Sequence, residues 1–183
     1  MFSISDAAVA GVSRGRICQL EKAGDIRRLA RGVYIGSDVE PSETAEVEIL
    51  AKLGSKFVLT TESALRFHGL TSVMPHELTI AMKRGARTPD VDFPLRVMRT
   101  DETSFEFGAA EYELHGTRVR IYSVAKTIAD VFKFRNRIGI DLALEALREG
   151  WRTKRFTIDE LMAAAEVDRV RRVITPYLEG MIA

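Results

Sequence analysis

Residues 11–34 read GVSRGRICQLEKAGDIRRLARGVY, and how this stretch folds decides how the chain is organised. Ser13 ahead of Ile17 and Leu20 at i, i+3 spacing, with Gly24 as a stop, predicts a short helix. Upstream, SISDAAVAG opens with serines and an aspartate able to cap a helix and ends on Gly11, so two short helices meet at the turn GVS. Downstream, DIRRLARGVYIG sets Arg31-Gly32 between two segments rich in apolar and strand-forming residues, the pattern of a tight hairpin. Helix, turn, helix and basic hairpin is the order of a winged helix-turn-helix, whose second helix enters the major groove of DNA.

Side-chain chemistry agrees with that order. At 100° per residue, Ile17 and Leu20 mark the buried side of the second helix, and Gly15, Cys18, Gln19 and Lys22 lie roughly opposite. Ser13, Arg14 and Arg16 open the helix, where base edges and phosphates are met. Arginine binds a guanine edge bidentately and glutamine an adenine edge, so Arg16 and Gln19 suit base reading and Lys22 suits a phosphate. Arg27, Arg28 and Arg31 would follow the neighbouring backbone as a wing does, and Tyr34 would anchor that wing by packing. A solvated basic surface explains the same charges, because a basic cluster alone is a weak motif; the order of elements puts binding level with it.

Residues 1–36 carry a net charge of +3 and residues 37–48 a net charge of −5, a switch that marks a boundary. With the polar, Pro-containing SDVEPSE as linker, the expected domains are 1–37 and 42–183. The 183 residues are 46% apolar and 29% charged, enough to bury a core and outside the disordered class. Cys18 is the single cysteine, so no intrachain disulfide or multi-cysteine metal site forms. The start MFSISDAAVAG lacks the features of a secretory signal, and no stretch approaches 18 apolar residues, so a cytoplasmic protein without a membrane partner is expected.

The larger part interleaves strands and helices before turning helical. AEVEILAKLG, TESALRFHGL and the segment from Ser123 read as helices; KFVLT, ELTIAM, LRVMRT and the hairpin YELHGTRVRIYS, turning at His115-Gly116, read as strands. Val124, Ile128, Val131 and Phe132 form one apolar stripe, and Ile140, Leu144, Leu147 and Trp151 a second. Thr157 and Glu160 form a capping box. A last helix in RVRRVITPYLEGMIA should be interrupted or shortened at Pro176.

Strand, turn, helix and strand in LTTESALRFHGLTSVMPHELTIAM follow the order of a nucleotidyltransferase core, which needs a small-residue phosphate turn and two carboxylates for Mg²⁺. The turn is TES and the strand offers Glu77, with Thr79 in the second position, so a degenerate scaffold without metal or cofactor is expected. Glu62 and Ser63 fit helix capping. His68, His76 and His115 are too scattered for a metal site, Cys18 lacks a base, and Asp130 fits ion pairs with Lys126 and Lys133 on a polar helix face. No catalytic residue is assigned. Lys83, Arg84 and Arg87, and Arg169, Arg171 and Arg172, are secondary basic patches that could extend a nucleic-acid footprint, with solvated charge as the plainer explanation.

The ordered segments DAAVAGVSRGRICQLEKAGDIRRLARGVY, LTTESALRFHGL, PHELTIAMKRG and GTRVRIYSVAKTIADVFKFRNRIGIDLALEALREG resemble the AbiEi-type antitoxin family of type IV toxin-antitoxin systems, over nearly the whole chain. The resemblance implies an α+β protein: a small N-terminal winged helix-turn-helix that represses its own operon, then an α/β antitoxin domain ending in helices. It implies operator DNA upstream of its own gene as one partner and a nucleotidyltransferase-like toxin as the functional other. The family's reading helix falls on Ser13 to Lys22 and its wing on Ile26 to Tyr34. Family winged helices usually begin with a further helix; the twelve residues before Ser13 have room only for the one at ISDAAVAG, so the expectation is either a start codon placed late or a DNA-binding unit lacking its first helix. A protein-docking adaptor and a divergent nucleotidyltransferase are the competing classes.

Overall fold

The computed structural model describes residues 1–182 as two compact units. The first comprises residues 1–56, 87–93 and 112–119, and the second the remainder.

The first unit opens with strand β1 (Phe2–Ser3), helices α1 (Ile4–Val9) and α2 (Arg14–Ala23), strands β2 (Ile26–Ala30) and β3 (Val33–Gly36), and helix α3 (Ala45–Lys52). Ser3 caps α1 in a reciprocal box with Asp6. Ser13 caps α2 through its hydroxyl, which accepts from the Arg16 N–H at 3.2 Å. Gly24 ends α2 at φ 80°, the left-handed conformation a side chain would oppose. The helices and hairpin thus stand where the capping residues put them. The sheet runs β1-β3-β2, all antiparallel, with Phe2 opposite Tyr34 and a register shift between Arg28 and Ala30. β1 escaped the sequence reading because two residues carry no period.

Ala7, Ile17 and Tyr34 form a small core with Phe2, Ile4, Val12 and Ile26 around it, and Tyr34 stacks on Phe2 at 5.9 Å. Tyr34 is the packing anchor its sequence position suggests. A second cluster joins Ala30 and Val33 to Ile49 of α3. Residues 42–56, which the charge switch assigns to the second domain, therefore belong to the first unit: of the acidic run only Glu46 and Glu48 lie in α3, Glu46 exposed and Glu48 buried, while Ile49 of the same helix packs on the hairpin. Buried Glu48 of α3 accepts from Ser42 at 2.7 Å, Thr44 at 2.8 Å and His115 Nδ1 at 3.0 Å. Burial pushes its carboxyl up, and these three donors outweigh burial and hold it below the usual range.

The second unit contains β4 (Val58–Leu59), α4 (Thr61–Phe67), β5 (Leu78–Lys83), β6 (Leu95–Thr100) and α5 (Glu102–Glu106). The hairpin β7 (Ala109–Leu114) and β8 (Thr117–Tyr122) follows, its outer residues counted in the first unit. Helices α6 (Val124–Lys133), α7 (Arg135–Ile138), α8 (Ile140–Arg152), α9 (Ile158–Val167) and α10 (Arg171–Ile182) complete the chain. The sheet order is β6-β5-β4-β8-β7; β4 runs antiparallel to β5 and parallel to β8, and β5 runs parallel to β6. His115 at φ 46° and Gly116 at φ 77° supply the two left-handed residues of the predicted hairpin turn. Among the described residues no helix is long and apolar enough to cross a membrane.

The core of this unit is built around α6. Val124, Ile128, Val131 and Phe132 are buried against Ala143, Ala146 and Leu147 of α8, Leu161, Ala164 and Ala165 of α9, and Ile174 and Leu178 of α10. Gly150 of α8 permits the tight fit, since a Cβ there would lie 2.8 Å from the Phe156 ring.

Three expectations are corrected here. The face of α6 bearing Lys126 and Asp130 is interior, with the two residues 1% and 5% exposed. Their i, i+4 ion pair exists at 2.6 Å, but Lys133 pairs with Asp168 at 2.9 Å rather than with Asp130. Glu62 and Ser63 do not cap α4, because they lie inside its first turn with Thr60 at the N-cap position. Ser63 instead accepts the backbone N–H of Thr79 at 2.8 Å, and Glu62 faces Arg96 at 3.6 Å. Pro176 neither ends nor shortens α10, which continues past it with Pro176 on the exposed side.

Burial pushes the Asp130 carboxyl up to about 7, against the pull of Lys126 and with the help of neighbouring Asp168. A carboxyl raised in the folded state adds stability that is full below its unfolded pKa of 3.8 and is lost as pH rises through about 7. Urea unfolding of Asp130→Asn against wild type is therefore expected to shift in favour of the asparagine between about pH 5 and about pH 8. A pH-independent difference would contradict the assignment.

Candidate nucleic-acid interface

The basic residues of residues 11–34 are placed by α2 and the β2–β3 hairpin. Ile17, 2% exposed, holds α2 to the core, and Ser13, Arg14, Gly15, Arg16, Cys18, Gln19 and Lys22 are all exposed. The helical period read from two apolar residues thus orients the helix correctly. Arg16 Nη1 donates to Gln19 Oε1 at 3.3 Å, so the two base-reading candidates sit side by side one turn apart. Ser13 spends a lone pair on its cap and keeps its hydroxyl proton for an acceptor outside the helix.

The hairpin separates its arginines. Arg27 lies opposite Ile35 and Arg28 opposite Tyr34, so strand alternation turns them to opposite faces of the sheet. Arg27 Nη2 donates to the Val39 carbonyl at 2.9 Å and approaches Glu40 at 3.5 Å, stitching the linker to the hairpin. Arg28 is exposed, with Nε on the Ala30 carbonyl at 3.2 Å across the register shift. Arg31 is exposed at the tip, where Gly32 has φ 82°. Arg28 and Arg31 therefore present cations to solvent, while Arg27 serves the linker, a division that needs the register and was invisible in sequence.

The secondary basic patches differ from this surface. Lys83 is neutralised by Glu102 and by Glu106, the latter at 3.0 Å. Arg84 is exposed in the second unit and Arg87 exposed in the first. Arg169 and Arg172 are exposed, and Arg171 faces Glu166 at 3.5 Å. Of the histidines, His68 is buried with Nε2 2.7 Å from the Tyr122 carbonyl, and its burial lowers its pKa. Glu77 is bound to Arg96, and Thr79 is a buried strand residue.

Sequence reasoning missed a buried cluster in the second unit. Lys126 Nζ contacts Asp130 Oδ1 at 2.6 Å and Asp168 Oδ2 at 2.9 Å, and Thr60 Oγ1 donates to Asp130 Oδ2 at 2.9 Å. Burial works against the ammonium, and the two carboxylates outweigh it and keep it charged. The i, i+4 spacing signalled one of these pairs; Thr60 and Asp168 join from 70 and 42 residues away, beyond any local pattern.

A search of curated proteins finds no match to the chain. Residues 1–35, which span β1, α1, α2, β2 and nearly all of β3, match the family described as "Transcriptional regulator, AbiEi antitoxin".

Proposed function

We propose that this protein is the antitoxin of a type IV toxin-antitoxin system acting in phage defence, and that it represses its own operon by binding operator DNA through a winged helix-turn-helix. The observation carrying this reading is the exposed face of α2, with Arg14, Arg16, Gln19 and Lys22 all turned to solvent while Ile17 holds the helix to the core. It lies within the segment matching the AbiEi family. Arg16 and Gln19 read bases, Ser13, Arg14 and Lys22 bind phosphates, and Arg28 and Arg31 extend the contact along the backbone. The second unit, on a degenerate nucleotidyltransferase-like scaffold without catalysis of its own, carries antitoxicity toward a nucleotidyltransferase-like toxin, in the cytoplasm.

Fluorescence anisotropy of the protein against DNA from upstream of its gene, at several salt concentrations, tests the repressor. Sequence-preferring binding that weakens with salt supports it, since neutralised phosphates release counterions. Absent or salt-independent binding by folded protein points to the adaptor class instead.

Gly15 sharpens the reading. A Cβ there would meet only the Ser13 hydroxyl, at 3.9 Å, and its φ is not left-handed, so nothing within the fold calls for glycine. Glycine costs a helix up to about 1 kcal/mol relative to alanine. Gly15→Ala is expected to raise the melting temperature by about 2 °C and, if α2 enters the groove as proposed, to weaken operator binding by setting a methyl between Arg14 and Arg16. A variant that gains stability and binds as wild type would remove Gly15 from the interface.

A further inference from the structure

The second unit contains a cavity of about 170 Å³ roofed by the β5–β6 edge and floored by α6. Ligand pockets for drug-sized molecules usually exceed about 300 Å³. This one is on the scale of a single small ion with part of its hydration rather than of a drug-sized ligand.

Its charge is unbalanced. Arg84, Arg99, Lys126 and Lys133 line it, against the carboxylates of Asp101 and Asp130. Lys126 is spent internally, on Asp130, Asp168 and the face of the Tyr122 ring 4.5 Å from Nζ. Lys133 gives one N–H to Asp168, and its side chain remains 34% exposed. Arg84 makes no side-chain hydrogen bond or ion pair among the described residues, although its backbone is firmly placed. Its N–H donates to the Thr100 carbonyl at 3.0 Å, Ala86 N–H closes the turn on Lys83, and Arg99 Nη1 clamps the Ala86 carbonyl at 2.6 Å. A fixed turn therefore presents a guanidinium that is drawn toward Asp101 but makes no side-chain hydrogen bond among the described residues, at the mouth of a cationic cavity.

The backbone next to the cavity is strained. Thr61, a β-branched residue, adopts φ 44° while fully buried, and its Oγ1 has no hydrogen-bond partner among the described residues. Left-handed β-branched residues are costly and cluster at functional sites. This one immediately follows Thr60, whose hydroxyl lines the cavity and binds Asp130.

We propose that this cavity is a binding site for a phosphate-sized oxyanion, held by the Arg84 guanidinium and Lys133 Nζ above the Lys126–Asp130 pair. The anion is either free in solution or the terminal phosphoryl group of a larger molecule whose remainder stays outside. Asp130 links the site to pH. It is faced by Lys126 on its own helix, Thr60 from the end of β4, Tyr122 from β8 and Asp168 after α9, with Lys133, Asp101, Arg84 and Arg99 across the cavity. A proton on Asp130 enlarges the cationic excess, so affinity rises as pH falls through about 7.

Calorimetric titration of the full chain with sulfate, doubly charged throughout the range, tests this at about pH 6 and about pH 8 with ionic strength held by chloride. Saturable binding is expected, tighter at the lower pH and weakened about tenfold or more in Arg84→Ala. Arg84 is exposed and unbonded, so that variant should fold, and an unchanged melting temperature checks it. Inorganic phosphate and a nucleoside 5′-monophosphate form two further arms: binding of the first alone assigns a free ion, and binding of both assigns a phosphoryl terminus. No saturable binding, or equal binding by Arg84→Ala, overturns the site, as does stabilisation that merely rises linearly with sulfate, the general salting effect.

Discussion

Asp168→Ala lowers the unfolding free energy by about 3–5 kcal/mol, the usual cost of leaving a buried charge without its partner. The Asp168 side chain is fully buried at the end of α9, 2.9 Å from both Lys126 Nζ and Lys133 Nζ and 3.3 Å from Ser104 Oγ. Its loss leaves Lys126, 1% exposed, with Asp130 alone. Asp168→Asn keeps the shape and part of the hydrogen bonding, so it should cost less. Urea unfolding followed by Trp151, the chain's single tryptophan, measures both. A loss below about 1 kcal/mol in Asp168→Ala would mean that water or rearrangement replaces the carboxylate. The same comparison separates stability from function, because a buried ion network is weak evidence of stabilisation relative to an apolar core.

The second large effect is on binding. Arg14→Ala/Arg16→Ala should weaken operator binding by at least about 30-fold, since each base or phosphate contact contributes about 1–3 kcal/mol. The slope of affinity against salt should become shallower as phosphate contacts are lost. Both side chains are exposed, and the Ser13 cap uses the backbone N–H of Arg16, which alanine retains. A folded double variant is therefore expected, and its melting temperature serves as the check. Arg27→Ala is the matched control. Its guanidinium is engaged with Val39 and Glu40, so its removal loosens the linker and leaves the salt slope as in wild type. A loss in Arg27→Ala about half that of the double variant, equal per charge removed, would mean that net charge, rather than a particular face of α2, attracts the DNA.

Much of the first unit was legible in its residues because its signals are local. Ser13 and Gly24 delimit α2, Ile17 sets its rotation, and Arg31-Gly32 turns the hairpin. Each is a property of a few consecutive residues, and capping, periodicity and left-handed turns act over that range. The candidate interface followed, since exposure on a helix is fixed once its buried side is known. The boundary did not follow. Charge along 37–48 suggested a new domain, yet Ile49 packs with Ala30 and Val33, because a run of charge says nothing about where the apolar residues that follow it are buried.

Sequence by itself determined the caps, turns and apolar stripes, including the α6 stripe that became the core of the second unit, because these depend on intrinsic propensity and on periods of two and 3.6 residues. Only the tertiary structure decided that the polar side of α6 is interior too. Lys126 and Asp130 read as a solvated i, i+4 pair until α9 brings Asp168, and the end of β4 brings Thr60, to the same point. The structure likewise parted Arg27 from Arg28 through strand register and set Arg84 over a cavity through Arg99. Burial, pairing and pKa arise from what approaches from far along the chain, and no local period encodes that approach.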